Sequence, residues 1–283
     1  MSAPSARLAV TGSTGALGGA VAAALAEAGR EQRLIVRSAG RAPRLEGASI
    51  ATASYGHTPE AKDALRGIDV LFMVSAAESA DRVAEHIGMI NAAAEAGVTH
   101  IVYTSFVGAA EDSVFTLARD HWATEQHLRA SGVNYTILRD NFYLDALVSF
   151  ADADGVIRGP AGEGRVAAVA RRDIAAVATR ILLDPAAHRG HTYTLTGPAS
   201  ITLAEVAEAL TRHTGTPTRF ENETVEEAYA SRAHYGVPSW QEDAWVSTYT
   251  AIAAGEFDVV TDDIRLLTGN PATGIDALLT GAE

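Results

Sequence analysis

Eight residues near the start of the chain, Thr11-Gly12-Ser13-Thr14-Gly15-Ala16-Leu17-Gly18, lie between an apolar run and an alanine-rich stretch. Glycines at this spacing have a defined use. Gly12 permits a tight turn, Gly15 lets the backbone approach a pyrophosphate, and Gly18 lets the next helix pack close to the strand. That helix would turn unpaired N–H groups and its positive dipole end toward the phosphates. Gly12, Ser13, Thr14, Gly15, Ala16 and Leu17 are therefore expected to hold a dinucleotide; the plainer alternative is a glycine-rich turn that binds nothing. Further on, Leu34-Ile35-Val36 runs into Arg37, with Arg33, Arg41 and Arg44 nearby. An NAD site usually offers an acidic residue here to the ribose 2′-hydroxyl. Arginine's fork suits a phosphate dianion instead. NADP(H) is thus the expected cofactor, with Arg37 under the 2′-phosphate, against the alternative of a solvated basic loop.

These residues act only if regular elements hold them. Short apolar or β-branched runs occur at 7–10, 33–36, 49–53, 69–75, 100–104 and 135–139. Helix-like stretches at 17–28, 81–96 and 114–130 alternate with them, closed by Gly29, Gly97 and Ser131-Gly132. This alternation predicts an α/β fold, a Rossmann-like doubly wound parallel sheet over residues 1–150. Ligands of such sheets bind at the carboxyl ends of the strands. That rule brings in Ser75 and Ala76 after the fourth strand, Thr104 and Ser105 after the fifth, and Asn141, Phe142 and Tyr143 after the sixth. Phe142 and Tyr143 could stack on a planar acceptor beside the nicotinamide, with Trp122 as a third wall, or pack as an ordinary aromatic pair. Beyond Asp140 the pattern changes. Residues 152–164 read as loop with one short strand. Helices are predicted at 172–183, 202–214, 225–235 and 242–254, and strands at 192–196 and 219–222. Residues 151–283 are expected to form a smaller mixed α/β substrate lobe, able to return a strand or helix to the main sheet.

Composition narrows the chemistry. There is no cysteine, hence no disulfide, thiolate zinc site, iron–sulfur cluster or cysteine nucleophile. Lys and Arg total 22 against 35 Asp and Glu, a net charge of −13, which argues against nucleic acid or an anionic membrane as partner. No apolar run is long enough to span a bilayer, and the first residues are short and polar for a secretory signal, so a cytoplasmic protein is expected. No metal site is expected: His188-x2-His191 has no nearby carboxylate set, and Asp258, Asp262 and Asp263 read as a solvated turn. Lys62 is the single lysine.

The glycine loop, Leu34-Ile35-Val36-Arg37, the run Ala96-Gly97-Val98-Thr99-His100-Ile101-Val102-Tyr103-Thr104-Ser105 and the run NYTILRDNFY at 134–143 resemble the NmrA-like branch of the atypical short-chain dehydrogenase/reductase superfamily. Arg172-Asp173-Ile174-Ala175 and the segment 267–273 extend the likeness nearly end to end. Within the branch, the chain is most similar to bacterial type-2 NAD(P)H:quinone oxidoreductases. It departs from them at Asp140-Asn141, where the family often has Asn-Gly. The resemblance implies an NADPH-dependent oxidoreductase that passes hydride to a quinone or a similar planar, electron-poor acceptor. Ordinary short-chain dehydrogenases use a Tyr-x3-Lys pair; here Thr58 stands four residues before Lys62. The frame of the extended members, laid on 117–125, puts Leu117 at the tyrosine position and His121 at the lysine position. Ketone reduction builds alkoxide charge that needs a strong proton donor, whereas a reduced quinone delocalises it. His121 could bond the ribose or donate a proton, unless it is a helix-surface histidine. His121 and Tyr143 are the candidate catalytic residues. Two other readings stay open: a non-catalytic NAD(P)-sensing regulator of the NmrA type, and a biosynthetic enone or carbonyl reductase. A small planar acceptor is the expected partner, and a homo-oligomer is compatible with the sequence.

Overall fold

The computed structural model describes residues 7–281. Strands and helices alternate from the start: β1 (Leu8–Thr11), α1 (Ala16–Glu27), β2 (Gln32–Val36), β3 (Ala48–Thr52), α2 (Pro59–Leu65), β4 (Val70–Met73), α3 (Arg82–Ala96), β5 (His100–Phe106), α4 (Thr116–Ala130) and β6 (Asn134–Asp140). Then follow α5 (Leu144–Leu147), β7 (Val156–Gly159), β8 (Arg165–Val166), α6 (Arg171–Leu183), β9 (Thr192–Leu195), β10 (Ile201–Thr202), α7 (Leu203–Thr214), β11 (Arg219–Asn222), α8 (Val225–Arg232), α9 (Ser239–Ala253), α10 (Asp263–Thr268) and α11 (Ile275–Thr280).

Seven strands form one sheet in the order β3-β2-β1-β4-β5-β6-β9, and β1 to β5 pair in parallel. This is a Rossmann-like α/β fold. Strand order reverses between β1 and β4, the switch point at which such sheets bind ligands. The apolar character of β1 and β4 follows from their central places, since a strand covered on both faces has no polar side. Helix α1 meets the sheet with Leu17, Val21 and Leu25, spaced by four residues on one face. Helix α2 was not anticipated. At seven residues it is too short to show a helical period, although Thr58 caps it by accepting from Ala61 N and Pro59 opens it. The helix expected at 225–235 ends instead at Arg232, and residues 233–235 make a tighter turn before Gly236 at φ 62°.

The chain divides into two compact units. The first holds residues up to Ser105, His121–Arg139 and Ile174–Tyr193; the second holds Phe106–Asp120, Asp140–Asp173 and Thr194 onward. Each has its own core. Leu71, Met73, Ile90, Ile101, Tyr103 and Ile137 belong to the first, and Leu144, Ile157, Leu203, Val206, Ile252 and Phe257 to the second. In the second unit α7 starts with a full capping box of Thr202 and Glu205.

Candidate active site

The glycine loop sits at the end of β1, in the first unit. Gly12 has φ 65°, and a Cβ there would lie 3.0 Å from Val74 Cβ. A Cβ on Gly18 would lie 2.5 Å from the Gly12 carbonyl oxygen, so only glycine lets α1 begin this close to the turn. Gly15 N donates to Gly12 O at 2.9 Å and closes the turn. Beneath it Thr11 Oγ1 accepts from Val74 N at 2.9 Å, donates to Phe72 O at 3.2 Å and lies 2.6 Å from the Tyr55 hydroxyl. Tyr55 donates to Val74 O, and burial pushes its ionisation upward. The ends of β1 and β4 are thereby tied together below the loop.

The loop also carries donors that the protein leaves unused. Ser13 Oγ is buried and has no hydrogen-bond partner among the described residues. Helix α1 has Gly15 at its N-cap, with no side-chain cap and no acidic residue in its first turn. A buried hydroxyl left unpaired costs roughly 1–3 kcal/mol, which an anionic ligand at a helix N-terminus would offset. Thr14 and Ala16 are exposed, whereas Leu17 is a core residue of α1. At the end of β2 the arginines divide. Arg33 Nη1 donates to the carbonyls of Ala64 and Arg66, each at 2.9 Å. Arg37, Arg41 and Arg44 are exposed and make no ion pair among the described residues. Donors at the loop and unpaired cations at β2 match the pyrophosphate and 2′-phosphate of NADP(H).

The carboxyl end of β4 is held by a buried network. Ser75 N donates to Thr104 Oγ1 at 2.8 Å, and Ala76 N donates to His86 Nε2 at 2.8 Å. Arg82 Nε donates to Ala76 O at 3.0 Å, so both backbone groups of Ala76 are occupied. Arg82 Nη2 also donates to His121 Nε2 at 3.0 Å. Because arginine only donates, that nitrogen is the acceptor, and His121 Nδ1–H faces the Tyr103 hydroxyl at 2.9 Å. By the same logic His86 Nδ1–H faces Thr124 Oγ1 at 2.9 Å. Burial, then Arg82, lowers His86 to about 3 and holds His121 well below the usual imidazole range. Both rings are neutral at physiological pH. His121, only 5% exposed, is an interior link and not a helix-surface residue. Arg82, His86, Tyr103 and Thr124 escaped the sequence reading. The available signal was spacing: Arg82 and His86 stand four apart on α3, and His121 and Thr124 three apart on α4, so each pair shares a face.

Glu125 lies one residue beyond Thr124 and is wholly buried. Its oxygens accept from Ser105 Oγ at 2.6 Å, from Arg139 Nε and Nη2 at 2.9 and 2.8 Å, and from Arg129 Nη2 at 3.4 Å. This fastens α4 to the ends of β5 and β6. Lys62 lies on the surface and pairs with Glu95 at 2.8 Å.

The remaining candidates belong to the second unit, except Trp122, which is half-buried on α4 in the first. Asn141 is buried; its Nδ2 donates to Phe257 O at 3.0 Å and its Oδ1 accepts from Phe142 N at 2.7 Å. Phe142 meets Phe150 edge-on, ring centres 5.5 Å apart. Tyr143 is half-buried, with the Arg171 guanidinium 4.8 Å above its ring centre. Its hydroxyl donates to Asp140 Oδ2 at 3.4 Å. Asp140 is fully buried, and desolvation raises its carboxyl well above the usual range, the Tyr143 bond opposing this only in part. Among the described residues no group of three or more His, Asp or Glu could hold a metal ion, and no helix is long and apolar enough to cross a membrane.

The NmrA-like family profile matches residues 4–242. Quinone oxidoreductase 2 of Escherichia coli is 33% identical over 273 residues, covering 94% of this chain and 95% of that protein. The NAD(P)H azoreductase of Xenophilus azovorans is 34% identical over 269 residues, with 93% of each chain covered. Among solved structures, the E. coli NADPH-dependent quinone oxidoreductase complexed with NADPH superposes with a TM-score of 0.88 at 32% identity, covering 97% of this chain and 99% of that one. The Citrobacter sp. triphenylmethane reductase complexed with NADP(H) gives 0.84 at 30% identity, covering 98% and 100%.

Proposed function

We propose that this chain, which belongs to the NmrA-like family, is an NADPH-dependent oxidoreductase that delivers hydride to a quinone or a similar flat, electron-poor acceptor. The observation that carries the reading is a matched set of anion donors without a protein partner: Ser13 Oγ and the uncapped start of α1 for the pyrophosphate, and Arg37 for the 2′-phosphate. Similar reductases of quinones, azo compounds and triphenylmethanes support the class of acceptor.

NADPH, when bound, supplies the hydride. Ser13 and the first N–H groups of α1 hold its phosphates, and Arg37, with Arg41 and Arg44 close in sequence, selects it over NADH. The backbone of Ser75 and Ala76, fixed by Thr104, His86 and Arg82, gives the nicotinamide a rigid edge. His121 is a positioning residue in this scheme, because both its nitrogens are engaged by Arg82 and Tyr103. Phe142 and Tyr143 provide flat surface for the acceptor, and the Tyr143 hydroxyl protonates the reduced oxygen. Orientation of donor and acceptor provides much of the rate.

The test is NADPH oxidation followed by absorbance against a panel of quinones, with simple ketones for comparison. Quinones should be reduced and ketones left almost untouched. Arg37→Ala should weaken NADPH binding roughly tenfold to a hundredfold, as for loss of a charged hydrogen bond, and leave NADH binding unchanged. NADPH bound tightly with no acceptor reduced would instead favour a sensor of the dinucleotide. Equal effects of Arg37→Ala on both dinucleotides would remove the 2′-phosphate assignment.

A further inference from the structure

We propose that Asp140 carries a neutral carboxyl group at physiological pH and acts as the proton reserve for Tyr143, an inference that rests on the oxidoreductase reading. Three observations point this way. Asp140 closes β6 with no exposed surface. Its Oδ1 has no hydrogen-bond partner among the described residues, and Oδ2 faces the Tyr143 hydroxyl at 3.4 Å. No ion pair reaches it among the described residues, since the guanidinium of the preceding Arg139 is spent on Glu125.

The charged groups near this pair come from other elements. Arg171, at the start of α6, lies over the Tyr143 ring, and Asp145 on α5 accepts from the Arg171 backbone N–H. The elements beside Asp140 and Asn141 contribute backbone groups: Val107 N donates to Asp140 O, Leu195 O accepts from Asn141 N, and Phe257 O accepts from the Asn141 amide. An ionised carboxylate enclosed without a cation costs far more than taking up a proton. On protonation the bond that Tyr143 makes to Oδ2 reverses: the carboxyl needs an acceptor for its own O–H, and the Tyr143 oxygen, 3.4 Å from Oδ2, is its side-chain partner among the described residues. A donor behind the phenol leaves the phenol's proton for the acceptor.

The step balances. Hydride adds to the acceptor with two electrons, and NADPH is oxidised. The Tyr143 O–H bond breaks as its proton joins the acceptor's oxyanion. The Asp140 O–H bond breaks as its proton moves to the Tyr143 phenolate oxygen. Asp140, now a carboxylate, takes a proton from water after the product leaves. Asp140 is thus a positioning residue, acting on the acceptor only through Tyr143.

The experiment uses the full chain and Asp140→Asn, an isostere with no proton to release. An infrared difference between wild type and D140N at neutral pH should contain the carbonyl band of a protonated carboxyl group. Tyr143→Phe should shift that band. Neither readout depends on turnover, so both stand even if no quinone is reduced and the oxidoreductase reading falls. With turnover, D140N should lower kcat at neutral pH roughly tenfold to a hundredfold, at or below the range for a positioned proton donor. It should also abolish the alkaline fall in rate that accompanies emptying of Asp140, with KM for NADPH unchanged. A carboxylate band at neutral pH, a protonated band unmoved by Tyr143→Phe, or an identical pH profile in D140N would each overturn the proposal.

Discussion

Glu125 and Asp140 are both carboxyl groups with no exposed surface, and the chain treats them in opposite ways. Around Glu125 it gathers Ser105, Arg129 and Arg139, which fill both oxygens. Around Asp140, among the described residues, it offers only the Tyr143 hydroxyl, and one oxygen has no hydrogen-bond partner. Successive strand residues point to opposite faces. Arg139 therefore serves Glu125, and its neighbour Asp140 is left without a cation among the described residues. Burial alone does not decide what a carboxyl group does. A buried carboxylate with its counter-ions is a fastening, and one without them becomes a stored proton.

The largest expected effect breaks the fastening. Glu125→Ala leaves the Arg139 guanidinium without its counter-ion and removes the tie between α4 and the ends of β5 and β6. Removing one member of a buried pair costs about 3–5 kcal/mol; the value here should be near the low end because Arg139 retains some solvent. Urea unfolding with an unchanged m-value measures it. A loss below about 1 kcal/mol would mean that the two carboxyls are not energetically different.

The next effect is Asp140's own and depends on pH. Its folded value is raised above the unfolded one, so the stability it contributes is complete below the unfolded value and is lost as pH rises through the folded value. Asn in its place has no such dependence. As pH rises above the ordinary carboxyl value, wild type should therefore lose stability relative to D140N. Paired denaturation curves at several pH values measure this. Parallel curves would show Asp140 ionising in the fold as it does in the unfolded chain.

The sequence made visible what is local. The glycine turn, the cap of α7 and the alternation of strand and helix each depend on residues within a few positions, so the fold class could be read directly. Arg37, the proposed phosphate ligand, stood out because the surrounding chain is acidic; nothing in the sequence separated it from Arg33, which the carbonyls of Ala64 and Arg66 consume. The network of Arg82, His86, Tyr103, His121 and Thr124 was not legible, because its members meet only after three elements assemble. Asp140 read as a departure from Asn in a family pattern. That it ends a strand in full burial is a property of the packing.

The smallest effect comes from a base that also stays neutral. His86 resembles Asp140 in being uncharged and enclosed, but both its nitrogens are bonded, to Ala76 N–H and Thr124 Oγ1. Burial and Arg82 lower it to about 3, so the folded chain binds fewer protons than the unfolded chain across the interval below the ordinary imidazole value. The stability His86 contributes is present above about pH 6.5 and is lost as pH falls toward 3, opposite in direction to Asp140. Between pH ~6.5 and ~5 this amounts to about 1.5 kcal/mol. In His86→Asn that part of the acid sensitivity should vanish, while His121 keeps its own. The variant should also raise KM for NADPH more than it lowers kcat, because the peptide it releases, Ala76, is assigned to holding the cofactor. An unchanged acid slope would mean that His86 accepts a proton in the folded chain. The tautomer inferred from Ala76 N–H would then be wrong, and with it the contrast between a neutral group held for its shape and one held for its proton.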